Sequence, residues 1–390
     1  MLHFGLVSSI QLRGASSAFL ACIARPFILR RTDENETKPD PIAETREAIA
    51  DLQRDLNHLQ EDLRLGSLRN EIEDIDTAAN GAESRIRDLR GRGYPFEKSL
   101  EPCARDIQER WSHQRLLVLQ QITQQSSLLD IESRSVETLV NQAAGRTGNP
   151  IAARPYIDQA RSHLSTLEGK ISGAEGSIRG MFDAFKKELD QLTTHLDRVD
   201  WSLKQVAEAT FRLLPTEAVI MAVEAVWAKD GKEDKDDPKG VVYLTDQRLL
   251  FEQKQEVATK KVLFITTEKK KVQQLAFEAP VALLTNAVAS KAGLFGHEDH
   301  IDLDFASGAP LPRVHFHLDG QDSNEWQALL GRARAHDFDA DRAIAIDAAA
   351  VEKVKAVPAK CPACGGGINQ VILRGQETVN CPYCGFVIRL

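Results

Sequence analysis

Four cysteines near the C-terminus carry the most specific chemistry in this sequence. They stand as Cys361-Pro362-Ala363-Cys364 and, sixteen residues later, Cys381-Pro382-Tyr383-Cys384. Two CxxC turns can aim four thiolates at one cation, and four sulfurs at the corners of a tetrahedron are the donor set of structural Zn²⁺. Such a shell leaves no coordination position for a nucleophilic water. The spacing therefore predicts one structural zinc held by Cys361, Cys364, Cys381 and Cys384, with two disulfides or a redox pair as the competing readings. Pro362 and Pro382 set the turns, and Gly365 and Gly385 supply positive φ after each second cysteine.

Between the pairs, residues 370–373 and 377–379 read as strands around the turn Arg374-Gly375-Gln376, and residues 386–388 offer a third strand. This segment, 358–390, resembles a zinc ribbon. It is too small to bury enough apolar surface alone, so metal binding should supply most of its folding free energy.

Other candidate chemistry is weaker. Lys260, Lys261, Lys269, Lys270 and Lys271 flank an expected strand at 262–267 and could line a hairpin with a cationic rim for anionic lipid or a partner. A solvated hairpin explains them equally well. Residues 281–296 are apolar and glycine-punctuated, readable as an exposed docking loop or as a buried strand pair. His297, His300, His315 and His317 invite a metal reading, but the first pair lacks HExxH spacing and the second has no evident third ligand, so they read as surface histidines. No phosphate loop, nucleophile elbow or paired-carboxylate motif occurs, and no enzyme is expected.

Composition sets the frame for these residues. With 390 residues, 42% hydrophobic and 27% charged, the chain is long enough for two or three domains. A net charge of −8 argues against a main role in non-specific nucleic-acid binding. Only Cys22 and Cys103 lie outside the CxxC pairs, which fits a reducing, cytoplasmic setting. No apolar run reaches membrane-spanning length. Residues 1–31 hold four arginines and no acid, which reads either as a targeting segment or as a disordered tail behind a misassigned start.

Apolar residues at alternating steps of three and four run through Ile49, Leu52, Leu56, Leu59 and Leu63, then resume at Leu68 and continue to Leu89. The five-residue step predicts a local change of packing near Gly66. A second helical stretch spans 102–144 with Ile107, Trp111, Leu116, Leu119, Ile122 and Leu129 inward. A third carries a seam from Leu164 through Ile178, Met181 and Phe185 to Val206. Gly169, Gly173, Gly176 and Gly180 inside it predict a close crossing or a hinge, since each costs about 1 kcal/mol relative to alanine. Short breaks at 91–95 and 145–150 favour an intramolecular antiparallel bundle, with self-association through the coiled coil as the alternative.

Past Pro215 the period changes to that of strands, at 218–228, 241–245, 248–252, 261–266, 272–277, 300–305 and 313–318. A helix follows, capped by Ser323-Asn324-Glu325 and bearing Trp326, Leu329, Leu330 and Ala333. Residues 240–251, Gly-Val-Val-Tyr-Leu-Thr-Asp-Gln-Arg-Leu-Leu-Phe, resemble the "yLTnqRLif" signature of bacterial pleckstrin-homology-like and GRAM-like domains. The resemblance covers about 215–337 and implies a partly open β-barrel with a C-terminal helix across one end; it does not transfer a ligand.

The expected fold is multidomain α + β. A tail at 1–41 precedes an antiparallel helical coiled-coil region at 42–210. A PH-like or GRAM-like module at 215–337, a linker at 338–357 and a zinc ribbon at 358–390 follow. The expected function is a zinc-binding adaptor that docks protein partners. Nucleic acid is an alternative partner, through Lys353, Lys355, Lys360, Arg374 and Arg389 of the ribbon region. An anionic membrane surface is the other, with the protein peripheral to it through the lysine rim.

Overall fold

The computed structural model describes residues 40–390 apart from 230, 232, 263–264, 294–295, 348, 350–357 and 390, with the side chains of 257–270 also undescribed. The leader-like reading of residues 1–31 and Lys353 and Lys355 lie outside the described residues.

Four helices come first. α1 (Pro41–Asp62) starts where Asp40 accepts a hydrogen bond from the Ile42 N–H and Pro41 fills the first turn. α2 (Gly66–Gly91) continues it after a break in which Leu65 takes a left-handed φ of 50°. This break is the physical answer to the five-residue step, because it lets Leu63, Leu65 and Leu68 all turn inward. The Ser126 hydroxyl donates to the Leu63 carbonyl exposed there, at 2.7 Å. α3 (Leu100–Ala144) runs back, and α4 (Pro150–Glu208) returns as one helix of 59 residues, capped by Asn149. The α1–α2 arm packs on both α3 and α4, so three amphipathic layers bury one another's seams.

The seams are where the heptads place them, with two local corrections. In α3 Val118 is buried while Leu116 is 65% exposed, and in α4 Phe182 occupies the core position rather than Met181. Trp111 stacks on Phe185 at 4.9 Å and donates its indole N–H to Asp76 at 3.0 Å.

The four α4 glycines do not mark a close crossing or a break within the chain. The helix runs through them, all four are exposed, and a Cβ built at any of them meets no atom within 4 Å.

A seven-stranded antiparallel sheet follows, in the order β4-β3-β2-β1-β7-β6-β5. Its strands are β1 (Val219–Trp227), β2 (Lys239–Thr245), β3 (Arg248–Val262), β4 (Ile265–Pro280), β5 (Leu284–Ala292), β6 (Glu298–Phe305) and β7 (Arg313–Leu318). β3 and β4 form one long hairpin pairing out to Val262↔Ile265, so 261–262 and 265–266 lie on its two opposite strands and not on one separate strand as expected. Residues 281–292 are a 3-10 turn and edge strand β5 paired to β6, not a free loop. α5 (Ser323–Arg334) lies against β5 and β6 and buries Trp326, Leu330 and Ala333; its cap is Asp322, which accepts from the Asn324 N–H, rather than Ser323. The short α6 (Asp337–Ala340) follows.

α4 runs into the sheet without a flexible joint. The Ser202 hydroxyl accepts from the Ala222 N–H at 2.8 Å, Glu252 accepts from both the backbone and side chain of Thr210, and Arg248 donates to the Arg212 carbonyl at 3.0 Å. The ribbon contains one hairpin, β8 (Thr378–Asn380) with β9 (Val387–Arg389). Residues 370–373 do not form the expected first strand; they make a docking arm.

Because the α4 glycines meet nothing, Gly169→Ala and Gly176→Ala should each raise stability by about 0.5–1 kcal/mol, through relief of the backbone entropy cost. Urea unfolding in dilute solution measures this, and a loss of stability would mean that another atom does approach them.

Candidate metal centre and its docking contact

Each cysteine pair sits on a turn of the same design. The Gly365 N–H donates to the Cys361 carbonyl and the Cys361 N–H to the Gly366 carbonyl, both at 2.8 Å. Gly385, Cys381 and Phe386 repeat the pattern at 2.9 Å. Gly365 and Gly385 have φ of 74° and 72°, the left-handed values expected of them. Gly366 is held by closeness instead, since a Cβ there would lie 2.5 Å from the Tyr383 ring.

The turns bring the four sulfurs together. Cys361 and Cys384 Sγ are 3.8 Å apart, Cys364 and Cys381 Sγ 3.6 Å, and all four fall within 4.8 Å of one another. A tetrahedral ion with metal–sulfur bonds of about 2.3 Å needs sulfur–sulfur edges of about 3.8 Å. The four cysteines can therefore hold a metal ion. Among the described residues they are the one such group. The N–H groups of Cys384 and Tyr383 draw the Cys381 thiol down to about 6. Cys384 is pulled down by the Phe386 N–H, but its bonds to the neighbouring sulfurs win and push it up to about 12. One thiolate thus forms readily while its neighbour resists ionising beside it, a repulsion that a bound cation would relieve.

The loop between the pairs reaches the sheet. Arg374 hydrogen-bonds through its backbone N–H and carbonyl to the side-chain amide of Gln247. Its guanidinium meets Asp246, and it also donates to Asp339 at 3.0 Å. Arg342 meets the same Asp246 carboxylate from the other side. Asp246 is 4% exposed, and its second oxygen accepts from the Ala218 N–H at 3.0 Å. Burial pushes this carboxyl up, against the pull of that N–H and of both guanidiniums. Next to Arg374, Gly375 leaves room for the Pro215 carbonyl, which a Cβ would approach to 2.1 Å.

Asp246 and Gln247 lie inside the signature stretch at 240–251, which is a structural staple here. The Thr245 hydroxyl accepts from the N–H groups of Gln247 and Arg248, shaping the β2–β3 turn. Arg248, buried, donates to Glu217 and Glu278. Arg342 lies 4.7 Å from the Phe96 ring centroid in the α2–α3 loop, and the Ala343 N–H donates to the Pro95 carbonyl at 2.8 Å. One arginine pair thereby touches bundle, sheet and ribbon.

The remaining candidates fall elsewhere. Cross-strand register places Lys260 opposite Glu268 and Lys271 opposite Glu256 on the distal part of the β3–β4 hairpin. Lys271 is exposed, and the side chains of Lys260, Lys261, Lys269 and Lys270 lie outside the described residues. Arg374 is committed to two carboxylates and is not free for phosphate. The surface reading of the histidines is corrected at His300, which is 7% exposed. His300 stacks on His317 at 4.7 Å and shares a 3.0 Å hydrogen bond with His315, which in turn bonds Asp302. Burial, then His317, lowers the His300 pKa.

Sequence reasoning also missed Glu97. It takes a φ of 59° and bonds His195 at 2.6 Å and the Tyr94 hydroxyl at 3.0 Å. Glu97 and His195 line a groove of about 930 Å³ between α4 and α5. Burial raises the Glu97 carboxyl, and the bonds to His195 and Tyr94 outweigh it.

No family model matches this chain, and no curated protein does. Among solved structures the chain is similar to the Vps36 N-terminal PH domain, at 16% identity over 32% of this chain and 84% of that one, with a TM-score of 0.22. It is also similar to the DH/PH domains of p115-RhoGEF, at 11% identity over 79% of this chain and 100% of that one, with a TM-score of 0.20. Neither likeness bears on partner or chemistry. No helix among the described residues is long and apolar enough to cross a membrane.

Arg374→Ala should cost about 1.5–3 kcal/mol, the worth of hydrogen bonds to a charged, buried partner. Its signature is faster hydrogen exchange at 371–376 and at 246–247 with the bundle unaffected. Arg342→Ala should cost more, since it also loses Phe96.

Proposed function

We propose that the chain is a non-catalytic, cytoplasmic zinc-binding adaptor, in which a PH-like module, a helical arm and a zinc ribbon present protein-docking surfaces in fixed relation. The observation that carries this reading is the shared Asp246 contact. It fastens the ribbon's connecting arm to the sheet while leaving Tyr383, Phe386 and Val387 of the ribbon outward, at 68%, 45% and 52% exposure. An apolar, aromatic cluster of this kind suits a protein partner better than phosphate. Zinc is the ion that best fits four thiolates at these separations, and its closed shell would give the ion a structural role. The PH-like assignment is supported by seven antiparallel strands with one helix laid against them.

Purified under reducing conditions, the chain should contain one zinc per molecule by elemental analysis. Cys361→Ser with Cys384→Ser should abolish it. Affinity capture from the source cells should recover protein partners with zinc present and lose those that depend on the ribbon after chelation. A metal-free but folded ribbon would end this reading.

A second reading, attachment to an anionic membrane surface, is supported by the five lysines that register gathers on the distal part of the β3–β4 hairpin. It predicts flotation with acidic liposomes that weakens as salt rises and is lost on Lys269→Glu, Lys270→Glu and Lys271→Glu together.

A further inference from the structure

α3 carries a second heptad stripe that is left exposed among the described residues. Leu117, Gln121, Gln124, Leu128 and Ile131 recur at steps of four, three, four and three, and the three apolar members are 60%, 50% and 64% exposed. No charged residue occurs from Leu116 to Leu129. A neutral, half-apolar seam with glutamines at inner positions is the pattern by which coiled-coil helices choose a partner and register.

The neighbouring helix carries the complementary surface. Gly169, Gly173, Gly176 and Gly180 of α4 recur at steps of four, three and four, exposed and with open space around each. The Lys170–Glu132 ion pair at 2.6 Å and the hydrogen bond from Gln114 to the Met181 carbonyl set residues 114–132 of α3 level with 170–181 of α4. At about 100° per residue, both stripes turn to the outer side of the α3–α4 layer, the ridge on α3 and the trough on α4.

We propose that this face binds a second copy of the chain. A two-fold axis parallel to the helices sets the α3 ridge of each copy on the α4 trough of the other at the same height, so one operation satisfies both stripes. Backbone approach across the dimer would then explain four helix-interior glycines that meet no atom among the described residues. The ridge is about 21 Å long and a helix about 10 Å wide, so the two contacts cover roughly 800 Å² in all, below the size of stable interfaces and fit for a weak, exchanging one. The dimer should accordingly exchange with monomer at micromolar concentrations. The absence of charge favours this occupant over nucleic acid or an acidic membrane.

Sedimentation velocity of the full chain, zinc-loaded and reduced, over a hundredfold concentration range tests the proposal. The sedimentation coefficient should rise from monomer toward dimer. Leu117→Glu with Ile131→Glu, both at exposed positions, should leave a monomer of unchanged helical content. Gly173→Gln with Gly176→Gln should do the same by filling the trough without harming the helix. A wild-type monomer at every concentration, or a dimer that survives the Leu117 and Ile131 changes, overturns the proposal. Loss with those changes but not with the glycine changes overturns the α3-on-α4 arrangement.

Discussion

One buried carboxylate organises the meeting of the three parts. Asp246 sits between the guanidiniums of Arg342 and Arg374, with the Ala218 N–H on its second oxygen and Asp339 supplying the other negative charge. Two acids and two arginines make the cluster neutral, which a nearly water-free position requires. Burying any one of them without the rest would cost several kcal/mol. The four residues come from the β2–β3 turn, from α6, from the segment after α6 and from the ribbon. Their pairing therefore forms only when all of these are in place, and it adds cooperativity where surface area alone would add little.

The same contact changes what a metal ion held by the four cysteines would do. A segment this short has few buried apolar groups, chiefly Val379 and Ile388 beside the buried Cys361 and Cys381. Metal binding and docking would each order the chain between the cysteine pairs, so each would make the other more favourable.

How much of this was legible in the sequence depended on range. Heptad alternation located the helices, and even the break at Leu65 was announced by a five-residue step. Period-two runs and the signature stretch located β1, β2, β6 and β7, since burial on one face leaves a local imprint. Three local inferences failed for physical reasons. Leu116 was assigned inward because leucine is apolar, although Val118 lies on the seam. The α4 glycines were read as a close crossing or a hinge, although the helix runs through them and no atom of the described residues approaches them. Residues 370–373 looked strand-like, but the Leu373 N–H donates to the Gln376 side chain and the next residue, Arg374, spends its backbone groups on Gln247. Arg374 and Asp246 are 128 residues apart, and His195 and Glu97 are 98 apart; no spacing rule connects such pairs. The four cysteines were legible because two CxxC turns carry their own spacing, and the structure brings their sulfurs within 4.8 Å of one another.

α4 passes from the far tip of the bundle into the sheet with no joint, its last turns pinned by Ser202 and the residues just beyond by Glu252 and Arg248. Its 59 residues span about 88 Å, so the molecule is a ruler with a fixed azimuth as well as a fixed length. One inserted residue in mid-helix would swing the sheet by about 100° around the arm while lengthening it by only about 1.5 Å. Length variation in this arm is therefore compatible with its geometry only in whole heptads, matched on all three layers at once.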